Sequence, residues 1–134
     1  MLNHITLQGR FTRDPELRRT QSGTAVCSFT LAVDRDVKDQ SGNKKTDFID
    51  HVAWSGTAEL VSKHFRKGSA AVTSGRLELR DWTDRDGNKR RNAEVRVESI
   101  YFAESKKDAA AAPAYPETAD FTEMTDIDDG DLPF

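Results

Sequence analysis

Arg76-Leu77-Glu78-Leu79-Arg80-Asp81-Trp82 and its return run Ala93-Glu94-Val95-Arg96-Val97 alternate apolar and polar residues, the period-two pattern of strands with one buried face. The ten residues from Thr83 to Asn92 hold Asp86-Gly87-Asn88, a strong turn signal, so the two runs read as a long hairpin. Leu77 and Leu79 set the inward phase. Trp82 then falls on the outward phase with Arg76, Glu78 and Arg80. A tryptophan on the polar face of an arginine-bearing strand has no core to fill. It is either an aromatic platform for a stacked base, or a ring lying over its own arginines or under a neighbouring loop.

Upstream, the same period recurs. Asn3 to Phe11 puts Ile5, Leu7, Gly9 and Phe11 on one face and His4, Thr6, Gln8 and Arg10 on the other, which sends Arg10 to solvent. Leu17 to Gln21 is short and basic, with Arg18 and Arg19. Ala25 to Val33 alternates most regularly, with Ala25, Cys27, Phe29, Leu31 and Val33 inward. Asp34 to Thr46 is a long exposed connection around Ser41-Gly42-Asn43, with Lys38, Lys44 and Lys45 open to phosphates. Phe48 to Trp54 is a strand of ambiguous phase, apolar on both sides. His51 within it reads as a satisfied core or interface imidazole. Ser55-Gly56-Thr57 offers helix-capping groups to a short helix carrying Ala58, Leu60, Val61, His64 and Phe65, with Gly68 as its stop. Ala70 to Thr73 resumes strand character, and Gly75 suits a bulge before the opening hairpin. The return arm continues through Ile100, Tyr101 and Phe102.

At 134 residues the chain fits one modest domain with an appendage. No apolar run approaches the roughly 18 residues of a membrane span, and the N-terminus lacks a signal-peptide core. Cys27 is the single cysteine, read as a buried structural thiol suited to a reducing cytoplasm. The net charge of −3 conceals a split. Residues 1–107 hold all 20 Lys and Arg against 15 Asp and Glu, a net of +5, whereas residues 108–134 hold 8 acids and no base. A basic body with an acidic tail points to a polyanion partner and a tail that acts separately.

Residues 108–125 lack amphipathic period and read as a disordered linker. The ending Asp126-Ile127-Asp128-Asp129-Gly130-Asp131-Leu132-Pro133-Phe134 looks like a short docking peptide. Phe134 would fill a pocket while its carboxylate meets a basic group, with Asp128, Asp129, Asp131, Leu132 and Pro133 completing the contact.

Five strands, one short helix between the third and fourth, and no βαβ alternation specify an all-β, small closed antiparallel sheet over residues 1–107. That order is the OB-fold's, a five-stranded Greek-key barrel; another small barrel has the same ingredients. Asp14-Pro15-Glu16-Leu17-Arg18, Asp47-Phe48-Ile49, Arg66-Lys67-Gly68-Ser69, Gly75-Arg76-Leu77 and Trp82-Thr83-Asp84 with Asp86-Gly87 resemble the bacterial single-stranded-DNA-binding protein family. The similarity covers about residues 1–105, and the Asp-rich Leu-Pro-Phe ending is similar to the family's tip. The resemblance implies an OB-fold assembled as a homotetramer, with single-stranded DNA wrapped over its surface. It also implies a tip that docks replication, recombination and repair proteins. Base stacking would fall to Phe48, Trp54 and Trp82, and backbone contact to Arg80 and Lys67. Phe48 and Trp54 would then mark the ligand face, turning Ile49, His51 and Ala53 inward. Val37, Asp50 and Asp81 depart from residues that some family members carry there.

The remaining cationic track is read from Arg10, Arg18, Arg76, Arg85, Lys89, Arg90, Arg91 and Arg96, with the turn from Arg85 to Arg91 its densest cluster. No nucleophile–base grouping, phosphate-cradling Gly loop or metal-ligand spacing is present, so neither an enzyme nor a cofactor is expected. The expected setting is the cytoplasm of a bacterium, on nucleoid DNA, for a chromosomal, phage or plasmid gene. An RNA-binding OB module and an adaptor acting through its tail alone are the alternatives.

Overall fold

β3, Ala25–Lys38, carries the alternation into structure: Ala25, Cys27, Phe29 and Leu31 are buried, while Val26, Ser28 and Thr30 lie between core and solvent. The computed structural model describes residues 1–104; the expected linker 108–125 and tip 126–134 lie outside the described residues. Six strands and one helix follow in chain order. They are β1 (Ile5–Phe11), β2 (Glu16–Arg19), β3, β4 (Lys44–Trp54), α1 (Ser55–His64), β5 (Ala70–Thr83) and β6 (Lys89–Phe102). The sheet order is β1-β5-β6-β4-β3-β2, and β1 also pairs with β3. That extra pairing closes β1, β5, β6, β4 and β3 into a five-stranded barrel with β2 on its flank. The architecture is that of the OB-fold.

Three details depart from expectation. The short basic run is a sixth strand, exposed throughout and paired only with β3. The sheet is not wholly antiparallel: β4 runs parallel to β6 at Asp50, His51 and Val52, because closing the Greek key brings those strands together in the same direction. The connection after β3 is shorter than expected, since β3 reaches Lys38 and β4 begins at Lys44.

The helix also starts and stops differently. The chain passes directly from β4 into α1, leaving Trp54 at the capping position with no side-chain cap. It ends at His64, before Gly68, because Phe65 is drawn extended into the core. Ala58 and Val61 are buried against the barrel, whereas Leu60 of the expected stripe is exposed. Gly68 serves the next turn, with a φ of +88°.

A column of rings runs from the surface at Phe102, 43% exposed, into the interior. Phe102 stacks on Phe65 with centroids 4.6 Å apart, Phe65 on Phe11 at 5.1 Å, Phe11 on Phe29 at 4.6 Å, and Phe29 on His51 at 4.9 Å. Such offset contacts add to the burial of the rings themselves. Between Ser74 and Gly75 the β5–β6 register slips, leaving Glu98 as the extra residue on β6. Gly75 is required there, because a Cβ would lie 2.0 Å from the Arg96 carbonyl oxygen.

Leu77 and Leu79 are 39% and 59% exposed, so they do not reach the core. β5 leaves β1 after Gly75 and β6 leaves β4 beyond Glu94, so the far part of the hairpin runs past the barrel, with no opposite wall on its inward side among the described residues. Val95, opposite Leu77, and Val97 remain buried, because β6 still runs beside β4 at Val95.

Candidate nucleic-acid interface

Opposite residues in paired strands point the same way, so register decides which side chains share a face. Arg18 on β2 stands opposite Val26, which stands opposite Trp54 on β4. The next row runs Ser28, Val52, Arg96 and Arg76 over β3, β4, β6 and β5. Thr30, Asp50, Glu94 and Glu78 form the row after it. Ala32 opposite Phe48 follows, and on the hairpin Asn92 opposite Arg80, then Arg90 opposite Trp82. Phe48, Trp54 and Trp82 therefore share one outward face with Arg18, Arg76, Arg80, Arg90 and Arg96.

Exposure agrees with that placement. Trp54 is 36% and Trp82 43% exposed, and Phe48 is half-buried. Ile49, His51 and Ala53 turn inward on the alternate phase. The Arg96 guanidinium lies 5.7 Å from the Trp54 ring centroid, a cation–π contact. No arginine covers Trp82 among the described residues, which leaves its ring open. An open hollow of about 550 Å3 at the hairpin's end is lined by Asp81, Trp82, Thr83, Lys89, Arg90 and Arg91.

The other expected phosphate contacts are dispersed. Lys89 and Arg91 stand opposite Thr83 and Asp81, on the reverse side of the hairpin from Trp82. Arg85 lies in the turn, and Lys67 in the loop after α1, where its backbone N–H donates to Asp14 Oδ1 at 2.8 Å.

Arg10 does not belong to the track. It is 4% exposed, because the end of β1 is flanked by both β5 and β3 and its outer side is closed over by Glu104 and the Gly68 loop. Its Nη1 donates to both Glu104 carboxylate oxygens at 2.8 Å and to the Gly68 carbonyl at 2.9 Å. Glu104 also accepts the Ala70 N–H at 3.0 Å. The pair seals the barrel rather than meeting a ligand.

Most arginines of the hairpin are themselves exposed and are held by carboxylates of the same hairpin, Asp81 exposed and Glu94 and Asp84 partly buried. Arg80 Nη2 donates to Glu94 at 3.1 Å, Arg90 Nε to Asp84 at 3.0 Å, and Arg91 Nε to Asp81 at 2.8 Å. With the arginine open to solvent, such pairs are worth about 0–1 kcal/mol, so an incoming phosphate displaces them at little cost. Asp84 also accepts backbone N–H groups of Asn88 and Asp86, and these bonds, with Arg90, hold its carboxyl below the usual range.

His51 is part of the core. Its Nδ1 must donate to the Ile49 carbonyl at 2.9 Å, which leaves Nε2 to accept from the Thr73 hydroxyl at 3.1 Å. Burial pushes the imidazole down to about 4. Cys27 is buried, and desolvation pushes its thiol up to about 11. Among the described residues no group of three or more His, Cys, Asp or Glu is arranged to hold a metal.

A face of stacking rings and exchangeable arginines on an OB barrel suits an unpaired nucleic acid strand. The model of the single-strand binding protein family matches residues 2–103. The chain belongs to the single-strand binding protein family. Single-stranded DNA-binding protein A of Bacillus subtilis (strain 168) is 46% identical over 106 residues, covering 79% of this chain and 62% of that relative. Single-stranded DNA-binding protein 3 of Listeria innocua is 44% identical over 110 residues, 82% of this chain and 69% of its own length. Single-stranded DNA-binding protein 1 of Staphylococcus aureus (strain MSSA476) is 46% identical over 106 residues, 79% and 68% respectively. The likeness therefore spans about two thirds of these relatives' length.

The pattern alone missed two arrangements. The contact of Arg96 with Trp54 follows from the parallel β4–β6 register, which no local signal announces. The carboxylate row Asp50, Glu94 and Glu78 arises from the same register. Its members were legible singly, but not as neighbours.

Proposed function

We propose that this chain binds single-stranded DNA with little base preference, by stacking bases on Phe48, Trp54 and Trp82 and exchanging arginine–carboxylate pairs for phosphates. The observation that carries the reading is the single outward face that those rings share with Arg18, Arg76, Arg80, Arg90 and Arg96. Relatives named single-stranded DNA-binding protein match over the same barrel. Binding protects the strand during replication, recombination and repair, on nucleoid DNA in the bacterial cytoplasm. The acidic tip, residues 126–134, recruits partner proteins of those processes through Asp128, Asp129, Asp131, Leu132, Pro133 and Phe134, reaching them across the linker 108–125. The protein works as a homotetramer. Leu77 and Leu79, exposed on the reverse of the hairpin, supply apolar area for subunits to bury against each other.

Titration with oligo(dT) at two salt concentrations tests the central claim. Trp54 and Trp82 fluorescence is expected to be quenched, and log affinity to fall with log salt by about 0.7 per phosphate neutralised. Absence of quenching at low salt overturns the reading, and preference for poly(U) over poly(dT) would turn it to RNA. Deleting residues 126–134 should leave oligo(dT) binding intact while abolishing association with replication and repair proteins.

A further inference from the structure

The outward face is not uniformly cationic. Register sets Thr30, Asp50, Glu94 and Glu78 side by side on β3, β4, β6 and β5, so three carboxylates form one row across it. Trp54, Arg96 and Arg76 lie to one side of the row. Phe48, Arg80 and, further out, Trp82 and Arg90 lie to the other. A strand that stacks on Trp54 and on Trp82 has to cross the row.

The row also restrains the nearest cations. Glu94 accepts from Arg80 Nη2 at 3.1 Å, and a Glu78 oxygen lies 3.5 Å from Arg76 Nη2. Asp50 is exposed and accepts the Thr30 hydroxyl at 2.9 Å, with no arginine against it. A phosphate set over these groups meets like charge at short range. A base brings no such charge.

Resting on the single-stranded DNA reading, we propose that Asp50, Glu94 and Glu78 form a phosphate-excluding strip. It divides the face into two binding segments and fixes where a bound strand crosses between them. Phosphates keep to the arginines on either side, and only bases pass over the carboxylates. The strip sets affinity below what the rings and arginines would otherwise give.

Asp50→Asn and Glu78→Gln keep shape and hydrogen-bonding capacity while removing the charge. Glu59→Gln is the matched control. It removes the same charge and releases Arg19, held at 3.2 Å, but it sits on α1 and not on the sheet. In oligo(dT) titrations at low salt, each strip variant is expected to bind about fivefold more tightly, the factor that one unit charge contributes at about 4 Å in water. If the unaltered protein binds but the strip variants match Glu59→Gln or bind more weakly, the strip is wrong. If the unaltered protein does not quench at all, the DNA reading itself fails.

Discussion

The closed end of the barrel and the far end of the β5–β6 hairpin are built from the same alternating pattern, with opposite results. Leu31 on β3 is fully buried, whereas Leu79 on β5 is 59% exposed. Arg10 on β1 is 4% exposed, whereas Arg80 on β5 is open to solvent. Alternation states which side a residue takes; it does not state whether anything covers that side. At the closed end, strands meet on both edges and Glu104 shuts the remaining side. Past Gly75 β5 no longer pairs with β1, and past Glu94 β6 no longer pairs with β4, so the far end of the hairpin has only its own partner strand. Stability is concentrated in the first region and ligand-accessible surface in the second, so changes in the two should separate cleanly.

The largest effect is expected from Glu104→Ala. It strands the Arg10 guanidinium in the interior, a loss of about 3–5 kcal/mol for a broken buried pair. Urea unfolding measures it, and the fraction still folded should bind oligo(dT) as before. A smaller loss comes from acid. The folded His51 imidazole stays neutral down to about 4, whereas the unfolded one takes up a proton near 6.5. The unfolded state binds more protons between those values, so stability falls as pH drops from 6.5 to 4 and His51 adds no further slope below. The contribution amounts to about 3 kcal/mol. It appears as the difference between the pH profiles of the unaltered protein and His51→Gln, because carboxylates contribute equally to both. Neither change touches the outward face. If either weakened DNA binding by the folded protein, barrel and face would not be separable.

Legibility divides along the same line. The strands of the barrel were visible because Ala25 to Leu31 buries alternate residues against a real interior, and Ile5 to Gln8 alternates partly buried with exposed residues. The turns were visible because they repeat one chemistry. Asp39 and Asp84 each accept two backbone N–H groups, and Gly42 and Gly87 each take a φ above +80°. Arg10 was misread because its burial depends on Glu104, 94 residues away. Leu77 and Leu79 were misread because the pattern contains no measure of where the barrel ends. The aromatic face was legible only in part. Trp82 stood out by phase alone, whereas Phe48 and Trp54 sat on a strand apolar on both sides, and only the β3–β4 and β4–β6 registers assign their direction.

On the open face, Trp54→Ala and Trp82→Ala should each weaken oligo(dT) binding by about 1–3 kcal/mol, the range for one stacked base. Binding measured by anisotropy of a labelled oligonucleotide keeps the assay independent of the rings removed. Stability should change far less than with Glu104→Ala, since both rings are substantially exposed. The two positions differ in one respect. Trp54 carries Arg96 against its ring and Trp82 does not, so Arg96→Ala should reduce the contribution of Trp54 and leave that of Trp82 unchanged. A double-mutant cycle in which Arg96 couples equally to both tryptophans would break the assignment of Arg96 to Trp54 alone.

The smallest effect sharpens it most. Asp50 and Asp81 are both exposed acids near an aromatic residue, and by sequence neither outranks the other as a burden on binding. Register separates them: Asp50 shares the face of Phe48 and Trp54, whereas Asp81 points away from Trp82 and holds Arg91 at 2.8 Å on the reverse side. Asp81→Asn should therefore cost about 0–1 kcal/mol of stability, as exposed pairs do, and leave oligo(dT) affinity close to its starting value. Asp50→Asn removes the same charge from the strand's own path. Equal gains in affinity from the two substitutions would mean that net charge, and not position on the face, governs binding. A gain confined to Asp50→Asn would mean that the sheet register alone decides which acids the DNA meets.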